Sequence, residues 1–565
     1  MFKTKIVSSL EKAFLDEKID KFERLEKITA LRGERVSIQL LYTYELDDEK
    51  VELALCTPTL TGPLAKYAKL RNVVNVPVVK PVRGAYDEEF DGGYLRTTPG
   101  LYPDLLVPLT NLGRFRIMRG ALDSLWIDID IPEDFDSCGE TLLTIKTEAE
   151  PEYLNTGSRV IGEDSVTIEV IDAKLPEQTL RFTQWFHCDS LAHYYRVPVW
   201  SEEHWRIIEK FAEAAVRNGL NTLFTPIFTP PLDTYEGGER LTNQLIGIKK
   251  TGTRYSYSWK LLDRWIDMCD RVGMKYMEIS HLATQGGAAH APKIMATVDG
   301  EYKRIFGWET DSTSKEYLDF LRSVMKALVN HLKKRGVDHR CVFHIADEPH
   351  KEHIPTYKKV KRAVAPILKD YIVMDALSDF DFYKQGVVKS PIPCCDHIQP
   401  FIDAGVPGLW TYYCCGQNYK VSNRYHSMPS ARNRSIGMQM YKYQLVGFAH
   451  WGFNYYQNEW SYDPTNPYLD SCGEKWIPAG DAFTVYPAPD GSAYDSIRGS
   501  VFYDALQDMR AMQLAESLYS HEEVVAAIEE VLGFELRFDT CVYTSRDMLA
   551  VREKINAMIK AKSAK

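Results

Sequence analysis

Residues 341–349 read CVFHIADEP, an apolar run that ends in two adjacent carboxylates and a proline. The run follows a long amphipathic segment, so it predicts a buried parallel strand, and a proline at its end cannot continue a strand ladder. Neighbouring side chains of a strand point to opposite faces. Asp347 and Glu348 can therefore act on one substrate only where the backbone turns away, although the same two acids would also suit the start of the next helix.

Side-chain alternation gives a further expectation for this strand. It places His344, Ala346 and Glu348 toward the interior of the predicted fold and Asp347 on the opposite face. We expect His344 to be a buried, hydrogen-bonding core residue rather than a catalytic group, because barrel interiors are filled by layers of side chains.

The order of strands and helices after residue 181 determines the predicted fold class. Eight apolar runs are predicted strands, at residues 182–187, 222–228, 275–281, 342–347, 371–376, 390–395, 409–413 and 448–455. Amphipathic stretches between them are predicted helices, at residues 201–218, 257–272, 314–335, 355–368 and 430–446. Eight alternating units predict a (β/α)8 TIM-like catalytic barrel over residues 181–500, followed by a C-terminal helical segment over 501–565.

The first part of the chain has a different period. Short runs that alternate apolar and polar residues, without intervening helices, occupy residues 36–42, 51–56, 125–131, 141–145 and 165–171. This period of two predicts an N-terminal antiparallel β-sandwich domain over residues 1–175, joined to the barrel by a short linker that contains a proline. The predicted fold class is therefore a multidomain α/β protein.

Composition and charge argue against several functions. Of the 565 residues, 45% are hydrophobic and 26% are charged, as in ordinary chains with a sizeable core. The net charge of -10 opposes binding to nucleic acid or to an anionic membrane. The chain has no apolar stretch of about 20 residues and no secretory-signal pattern at its start, and its 11 cysteines show no C-x-x-C spacing. We therefore expect a cytoplasmic protein with reduced thiols.

Polar and aromatic side chains recur at the predicted strand ends, where barrels of this kind carry their reacting groups. In chain order the set is His187, Asp189, His281, Asp347, Glu348, Asp375, Tyr412, Trp451, Asn454 and Tyr455. Acids, imidazoles, amides and aromatic rings at one rim suit a polar, neutral ligand such as a sugar. His187, Asp189 and His281 would also suit zinc, but no H-x-x-x-H or C-x-x-C spacing accompanies them, so we predict no metal and no cofactor.

Five separated segments carry a resemblance to a known family. They read QWFHCD at residues 184–189, TPPLDT at 229–234, FGW at 306–308, FHIADEP at 343–349 and HWGFN at 450–454. In this order they resemble the catalytic domain of glycoside hydrolase family 123, most closely its branch known as domain of unknown function 4091. The likeness covers most of residues 181–515, and it departs from the pattern at Ala346, where that branch commonly has serine.

The resemblance implies a β-N-acetylgalactosaminidase whose adjacent Asp-Glu pair works by substrate-assisted catalysis. By motif match, Asp347 would orient and stabilise the 2-acetamido group of the substrate, and Glu348 would be the acid/base. The matching segments add Trp308 to the residues expected to bind the sugar. A carbohydrate is thus the expected partner, and neither nucleic acid nor a membrane is.

Adjacent carboxylates suit this chemistry for a geometric reason. A conventional retaining glycosidase holds two carboxylates about 5 Å apart across the sugar, and an inverting enzyme leaves a wider gap for water. Consecutive residues can instead grip one side of the sugar while the acetamido oxygen of the substrate acts as the nucleophile. Charges this close raise the proton affinity of one partner, which we expect to be Glu348.

We therefore expect hydrolysis, with retention, of a terminal β-linked N-acetylhexosamine, with N-acetylgalactosamine as the expected sugar. Two alternatives stay open. The protein could be a glycosidase for a sugar that lacks the acetamido group, with a distant carboxylate assisting the pair, or the barrel could bind glycans without turnover. The sequence determines neither the linkage nor the oligomeric state.

Overall fold

The computed structural model describes residues 2–44, 53–84, 91–109, 113–152 and 157–563. The chain forms two compact units. The first, here called the sheet unit, comprises Met1–Gln178, Asn418–Tyr443 and Tyr494–Lys565, and the second, here called the barrel unit, comprises Thr179–Gln417 and Gln444–Ala493. Both units draw on separate stretches of the chain, and the predicted domain boundaries stay predictions.

Two sheets of the described residues build the sheet unit. The first has, in spatial order, the strands Phe2–Ser8, Arg35–Tyr44, Leu122–Asp130, Ala68–Val78, Gly100–Pro108 and Ala493–Ser496, with antiparallel neighbours. The second has Lys27–Arg32, Arg159–Lys174, Gly139–Pro151, Leu53–Thr61 and Phe115–Met118. Its pairs are antiparallel except for the first, which is parallel.

Apolar residues from both sheets share one hydrophobic core. Ile38 and Ile127 come from the first sheet and Ile145 and Ile168 from the second, and all four are fully buried. The period of two in the sequence explains this, because alternate side chains of each strand face the core. All five runs predicted as strands here are confirmed, although residues 51–52 of one run lie outside the described residues.

The helices of the sheet unit come from later in the chain: Ser430–Arg434, Ile436–Lys442, Ile497–Leu518, His521–Leu532 and Ser545–Ser563. The prediction of helices beyond residue 501 is confirmed. Buried ion pairs join them to one another, since Asp508 binds Arg434 at 2.6 Å and Arg552 at 2.9 Å. The predicted helix over residues 430–446 is confirmed as far as Lys442, although an irregular turn at Ser435 divides it into two short helices.

The barrel unit, which is described throughout, has eight parallel strands. In chain order they are Arg181–Gln184, Thr222–Thr225, Tyr276–Ile279, Cys341–Phe343, Ile372–Ala376, Ser390–Ile392, Trp410–Tyr412 and Gly447–His450. The first pairs with the eighth, and an isolated bridge from Cys394 to Tyr412 joins the sixth to the seventh. The strands therefore form a nearly closed barrel, and all eight predicted strands are confirmed.

The helices of the barrel unit follow these strands with unequal lengths: Cys188–Tyr195, Glu202–Arg217, Lys260–Val272, Lys315–Arg335, Ile354–Leu368, Phe380–Lys384 and Gln399–Asp403. Four of them match predicted helices. Serine caps begin two of these, since the side chains of Ser201 and Ser314 accept hydrogen bonds from the first turn. The two helices of five residues make the alternation less regular than predicted.

A small sheet that the sequence did not predict also belongs to the barrel unit. Its strands are, in spatial order, Arg254–Ser258, Gly247–Thr251, Ile294–Val298 and Glu301–Phe306. Their exposed and half-buried residues give a weak apolar signal, which explains why these strands were missed. Among the described residues, none of the helices is both long enough and apolar enough to cross a bilayer.

Candidate active site

The fourth barrel strand ends before the two adjacent acids. After Cys341–Phe343 the backbone leaves the strand, and the N–H groups of Ile345 and Ala346 donate to Oδ1 of Asp375 at 2.9 Å and 3.3 Å. A carboxylate that accepts several backbone hydrogen bonds holds the peptides that donate them in place. Asp375 therefore fixes the segment that leads into the acidic pair.

The turn is completed at Glu348, which has a left-handed backbone with φ of 41°. Its N–H donates to the carbonyl oxygen of Ala376 at 3.2 Å. As a result, the side chains of both Asp347 and Glu348 line one cavity. The prediction that side-chain alternation places Asp347 on the other face is wrong, because the strand has already ended at Phe343.

Asp347 is a buried carboxyl group in the wall of this cavity. Its side chain is 4% exposed, and Oδ1 accepts no hydrogen bond from any described residue. Burial raises the pKa of Asp347 well above its usual range, and the charges of Glu348 and Asp233 raise it further. The sequence predicts the raised pKa for the neighbouring acid instead. A buried oxygen without a partner is costly, so this site favours a ligand that donates a hydrogen bond to it.

Glu348 lies at the open side of the cavity. Its side chain is exposed, and the hydroxyl group of Tyr412 donates to its Oε1 at 2.5 Å. Tyr412 itself is buried. The two acids thus differ in solvation although they are adjacent in the chain, which is a basis for two different roles in one reaction.

His344 lies at the base of the cavity between two carboxylates. Its Nε2 is 2.8 Å from Glu278 Oε1, and its Nδ1 is 3.3 Å from Asp375 Oδ1. Burial alone would lower the pKa of His344, but the hydrogen bonds to Asp375 and Glu278 outweigh it and raise that pKa to about 10. This shift favours the imidazolium form of His344 at neutral pH. It is a buried hydrogen-bonding residue, as predicted, and it also lines the cavity.

Aromatic side chains form much of the remaining wall. Trp185, Trp451, Trp460 and Trp476 line the cavity, and the rings of Trp451 and Trp476 lie 5.9 Å apart. Hydrogen bonds orient two of the indoles, from Trp185 Nε1 to Glu278 at 2.9 Å and from Trp451 Nε1 to Asp481 at 2.8 Å. Flat apolar faces next to carboxylates suit the alternating apolar and hydroxylated surfaces of a sugar ring.

Three residues of the cavity wall have a strained backbone. Asp233, Glu348 and Trp460 line the cavity, and all three have positive φ, at 46°, 41° and 52°. Non-glycine residues adopt this conformation at a cost of about 1 kcal/mol or more and keep it where the surrounding structure enforces it, often at functional sites.

Two residues predicted to bind substrate lie in a buried ion pair outside the cavity. Arg240 donates to Asp189 through Nε at 2.7 Å and through Nη2 at 2.8 Å, and it also lies 3.1 Å from Nδ1 of His187. His187 Nε2 lies 2.9 Å from the carbonyl oxygen of Trp451. The structure therefore places His187 and Asp189 behind Trp451, where they support the wall.

The other predicted residues divide into two groups. Tyr412 and Trp451 line the cavity together with the acidic pair. The rest do not line it: His281, Trp308, Asp375, Asn454 and Tyr455. Asn454 bonds both backbone groups of residue 187, and Trp308 donates to the carbonyl oxygen of residue 238. These contacts connect loops to one another rather than to the cavity.

Sequence reasoning missed several cavity residues, chiefly Asp233, Glu278, Trp460 and Trp476. Asp233 lies in one of the family-like segments and Glu278 in a predicted strand, whose end points to His281 rather than Glu278. Side-chain alternation along the strand provides the missing signal. Glu278 lies within its strand and faces the barrel interior, where Thr183 and Trp185 donate hydrogen bonds to it. The two tryptophans lie in a long loop, where no periodic pattern shows their direction.

Within the described ranges, two groups of side chains have the spacing of metal ligands. His281, His344 and Asp375 place ligand atoms within 4.8 Å of one another, and so do Cys394, Asp396 and His397. In the first group both nitrogens of His344 already contact carboxylates. That arrangement favours a protonated imidazole, whereas a metal ligand must offer a free nitrogen lone pair.

Comparisons with known proteins identify a family and a similar fold. The family model "Glycoside hydrolase 123, catalytic domain" matches residues 185–515. A family 123 glycoside hydrolase from Clostridium perfringens, whose structure was analysed for glycolipid glycan hydrolysis, has a similar fold. Its TM-score is 0.71 at 13% sequence identity, over 100% of this chain and 98% of that chain. No curated protein sequence matches the chain.

Two further solved structures align only loosely. A Bifidobacterium dentium β-glucuronidase has a TM-score of 0.32 at 10% identity, over 90% of this chain and 66% of that one. A putative β-galactosidase from Bacteroides fragilis has a TM-score of 0.30 at 10% identity, over 89% and 62%. Neither supports an inference about this chain. The family match spans more than half of the sequence and includes the acidic pair, and the chain therefore belongs to the glycoside hydrolase 123 family.

Proposed function

We propose that this protein hydrolyses a terminal β-linked N-acetylhexosamine, with N-acetylgalactosamine as the sugar, by substrate-assisted catalysis with retention of configuration. Membership of a glycoside hydrolase family supports the reaction class. The observation that carries the finer proposal is the contrast within the acidic pair. Asp347 offers a buried oxygen without a donor, and Glu348 lies exposed beside it at the same cavity.

Each acid has one role in this reaction. The acetamido N–H of the substrate donates to Asp347, which turns the acetamido oxygen toward the anomeric carbon. That oxygen forms a bond to the carbon while the glycosidic bond breaks, and Glu348 gives its proton to the departing oxygen. Glu348 then takes a proton from the water that opens the oxazolinium intermediate. The overall reaction consumes one water and leaves both acids as they began.

Asp347 acts as the carboxylate throughout the cycle, so the reacting enzyme is the fraction in which this group is ionised, although burial raises its pKa. In the empty cavity burial favours the protonated form of Asp347. An oxazolinium ion carries a positive charge next to this group, and an opposite charge nearby favours the ionised carboxylate. Asp347 therefore stabilises the charged intermediate more strongly than the neutral substrate, which is the requirement for catalysis.

The surroundings of the pair fit a single terminal sugar. Tyr412 holds Glu348, and the indoles of Trp451 and Trp476 supply flat surfaces on which a ring can stack. We also propose that the nearly closed barrel is a (β/α)8 barrel with two shortened helical units, and that the two N-terminal sheets form a sandwich with a structural role.

A second candidate function follows from Asp233. This further carboxyl group lines the same cavity, and a double displacement with Asp233 as nucleophile and Glu348 as acid would suit a sugar that lacks the acetamido group. An N-acetylhexosamine thiazoline, which mimics the oxazolinium intermediate, separates the two proposals. Only an acetamido-assisted site binds it tightly.

The proposal is tested with nitrophenyl β-N-acetylgalactosaminide. We expect Glu348→Gln and Asp347→Asn each to lower kcat by roughly 100-fold or more, because each removes a group that acts in the transition state. Glu352→Gln is the matched control, since Glu352 is an exposed acid four residues further along the chain. Activity of both variants equal to that of the wild type would refute the assigned roles. Binding of the sugar without release of nitrophenol would instead indicate a glycan-binding barrel.

A further inference from the structure

Asp233 is held in a strained conformation by side chains from two other loops. Its φ is 46°, and its N–H donates to Gln285 Oε1 at 3.0 Å. Its carbonyl oxygen accepts hydrogen bonds from Ser461 at 2.7 Å and from Tyr455 at 3.3 Å. These contacts fix both backbone polar groups of one residue, and they compensate a conformation that L-amino acids otherwise avoid.

The side chain that this strain directs into the cavity has no protein partner. Asp233 is 8% exposed, and within the described residues its carboxylate oxygens accept no hydrogen bond and form no ion pair. Arg240 is the cation that acts on it most strongly, but Arg240 is bound in bidentate fashion by Asp189. Burial raises the pKa of Asp233 to about 7, partly offset by Arg240, and Glu348 raises it further.

A buried acid without a partner at a cavity wall requires a ligand that supplies donors. If the acidic pair grips the anomeric carbon and the acetamido group, then the sugar groups left for another wall are the hydroxyls at C3, C4 and C6. One carboxylate accepts hydrogen bonds from two neighbouring hydroxyls, and hydrogen bonds to a charged acceptor are the stronger kind.

We propose that Asp233 binds the C4 hydroxyl of the terminal N-acetylhexosamine together with a neighbouring hydroxyl, at C3 or C6, and so determines which epimer of the sugar the enzyme accepts. The inference rests on the proposed function and adds to it the residue that distinguishes N-acetylgalactosamine from N-acetylglucosamine, which differ only at C4. Gln285 and Ser461 are positioning residues in this account, because they act through the backbone of Asp233.

The experiment compares nitrophenyl β-N-acetylgalactosaminide with its 3-deoxy, 4-deoxy and 6-deoxy analogues. For the wild type we expect loss of a bound hydroxyl to lower kcat/KM roughly 10- to 100-fold. In Asp233→Asn and Asp233→Ala, kcat/KM for the parent substrate should fall by that same factor relative to the wild type. For the analogue that lacks the bound hydroxyl, the same variants should lower kcat/KM only slightly. Glu236→Gln, an exposed acid on the same loop, is the control and should keep the wild-type pattern.

Ser461→Ala keeps the test valid if the Asp233 variants fail to fold. This change removes a hydrogen bond to the backbone of Asp233, so we expect it to weaken discrimination between the parent and the deoxy analogue while Glu348 still acts normally. A merely structural role would lower the rates of all substrates by the same factor and leave their ratio unchanged. That result would overturn the proposal.

Failure of this inference is distinguishable from failure of the proposed function. Suppose that the thiazoline inhibits and that the Asp347 and Glu348 variants are inactive. If Asp233→Asn then has the same ratio of kcat/KM between the parent substrate and each deoxy analogue as the wild type, only the role of Asp233 is wrong. If azide restores activity to Asp233→Ala with formation of a glycosyl azide of inverted configuration, Asp233 is a nucleophile and both proposals fall. Absence of turnover with every N-acetylhexosaminide would also contradict both the proposed function and the proposed role of Asp233.

Discussion

Oδ1 of Asp375 accepts the backbone N–H of Ile345 at 2.9 Å, two residues before the acidic pair begins. The same oxygen also accepts from Ala346 and contacts His344, and the other oxygen accepts the hydroxyl of Tyr357. One carboxylate at the end of the fifth strand thus organises the end of the fourth. The acids reach the cavity because this neighbour replaces the strand ladder.

This relationship predicts the effect of removing Asp375. We expect Asp375→Ala to lower the free energy of unfolding by roughly 3–5 kcal/mol, because it removes one of the two carboxylates that bind the buried imidazole of His344 and leaves two backbone donors without their acceptor. Tyr357→Phe is the matched control and should cost only about 1 kcal/mol, since it removes one hydroxyl from the same group. Urea unfolding measures both. Equal small losses would contradict an organising role for Asp375.

Protonation of His344 predicts how stability depends on pH. The folded-state pKa of His344 is about 10, above the ordinary value of 6.5. The stability that the imidazolium ion contributes is therefore fully present below pH 6.5 and is lost as pH rises toward 10. Compared with His344→Gln, the wild type should lose free energy of unfolding as pH increases through this window. Parallel pH profiles of the two proteins would show that His344 is neutral.

The hydrogen bond from Tyr412 to Glu348 predicts a catalytic effect without a large stability effect. Tyr412→Phe should lower kcat roughly 10- to 100-fold, because Glu348 loses the contact that orients it for proton transfer. The melting temperature should change little, since one hydroxyl is worth about 1 kcal/mol. Tyr462→Phe, with a largely exposed ring, is the control. Unchanged kcat in Tyr412→Phe would mean that Glu348 is oriented by other groups.

The raised pKa of Asp347 predicts the acid side of the pH–rate profile. Activity requires ionised Asp347, so kcat/KM should fall as pH decreases through a pKa well above 3.8. Asp233→Asn removes one of the negative charges that raise this pKa. The acid limb of that variant should therefore move to lower pH, whatever its absolute rate. A limb that stays in place, or that moves to higher pH, would contradict the coupling.

The parts of this account that sequence could predict are those with local signals. An apolar run followed by two acids and a proline was enough to locate the fourth strand and the pair at its end, and strand–helix alternation was enough for all eight barrel strands. The direction of Asp347 was not predictable from alternation, because the strand ends at Phe343 under the influence of Asp375, a residue 28 positions past Asp347. No pattern in the sequence around Asp347 indicates a partner so far along the chain.

The same limit applies to the surroundings of the pair. His187 and Asp189 are polar residues after a strand, as a binding site requires, but Arg240 on a distant loop takes their hydrogen bonds. Trp460 and Trp476 line the cavity from a long loop whose path depends on tertiary contacts. Local patterns therefore indicate which residues are available for chemistry, and the partners decide which of them reach the substrate.

Participation of the acetamido group is tested most directly by weakening its nucleophilic oxygen. The measurement is kcat/KM for nitrophenyl N-acylgalactosaminides with acetyl, monofluoroacetyl, difluoroacetyl and trifluoroacetyl groups. Fluorine withdraws electrons from the acyl oxygen, so the account predicts a steep and progressive fall of kcat/KM along this series. Rates that stay level from acetyl to trifluoroacetyl would show that the acetamido oxygen does not attack, and the proposed mechanism would be wrong.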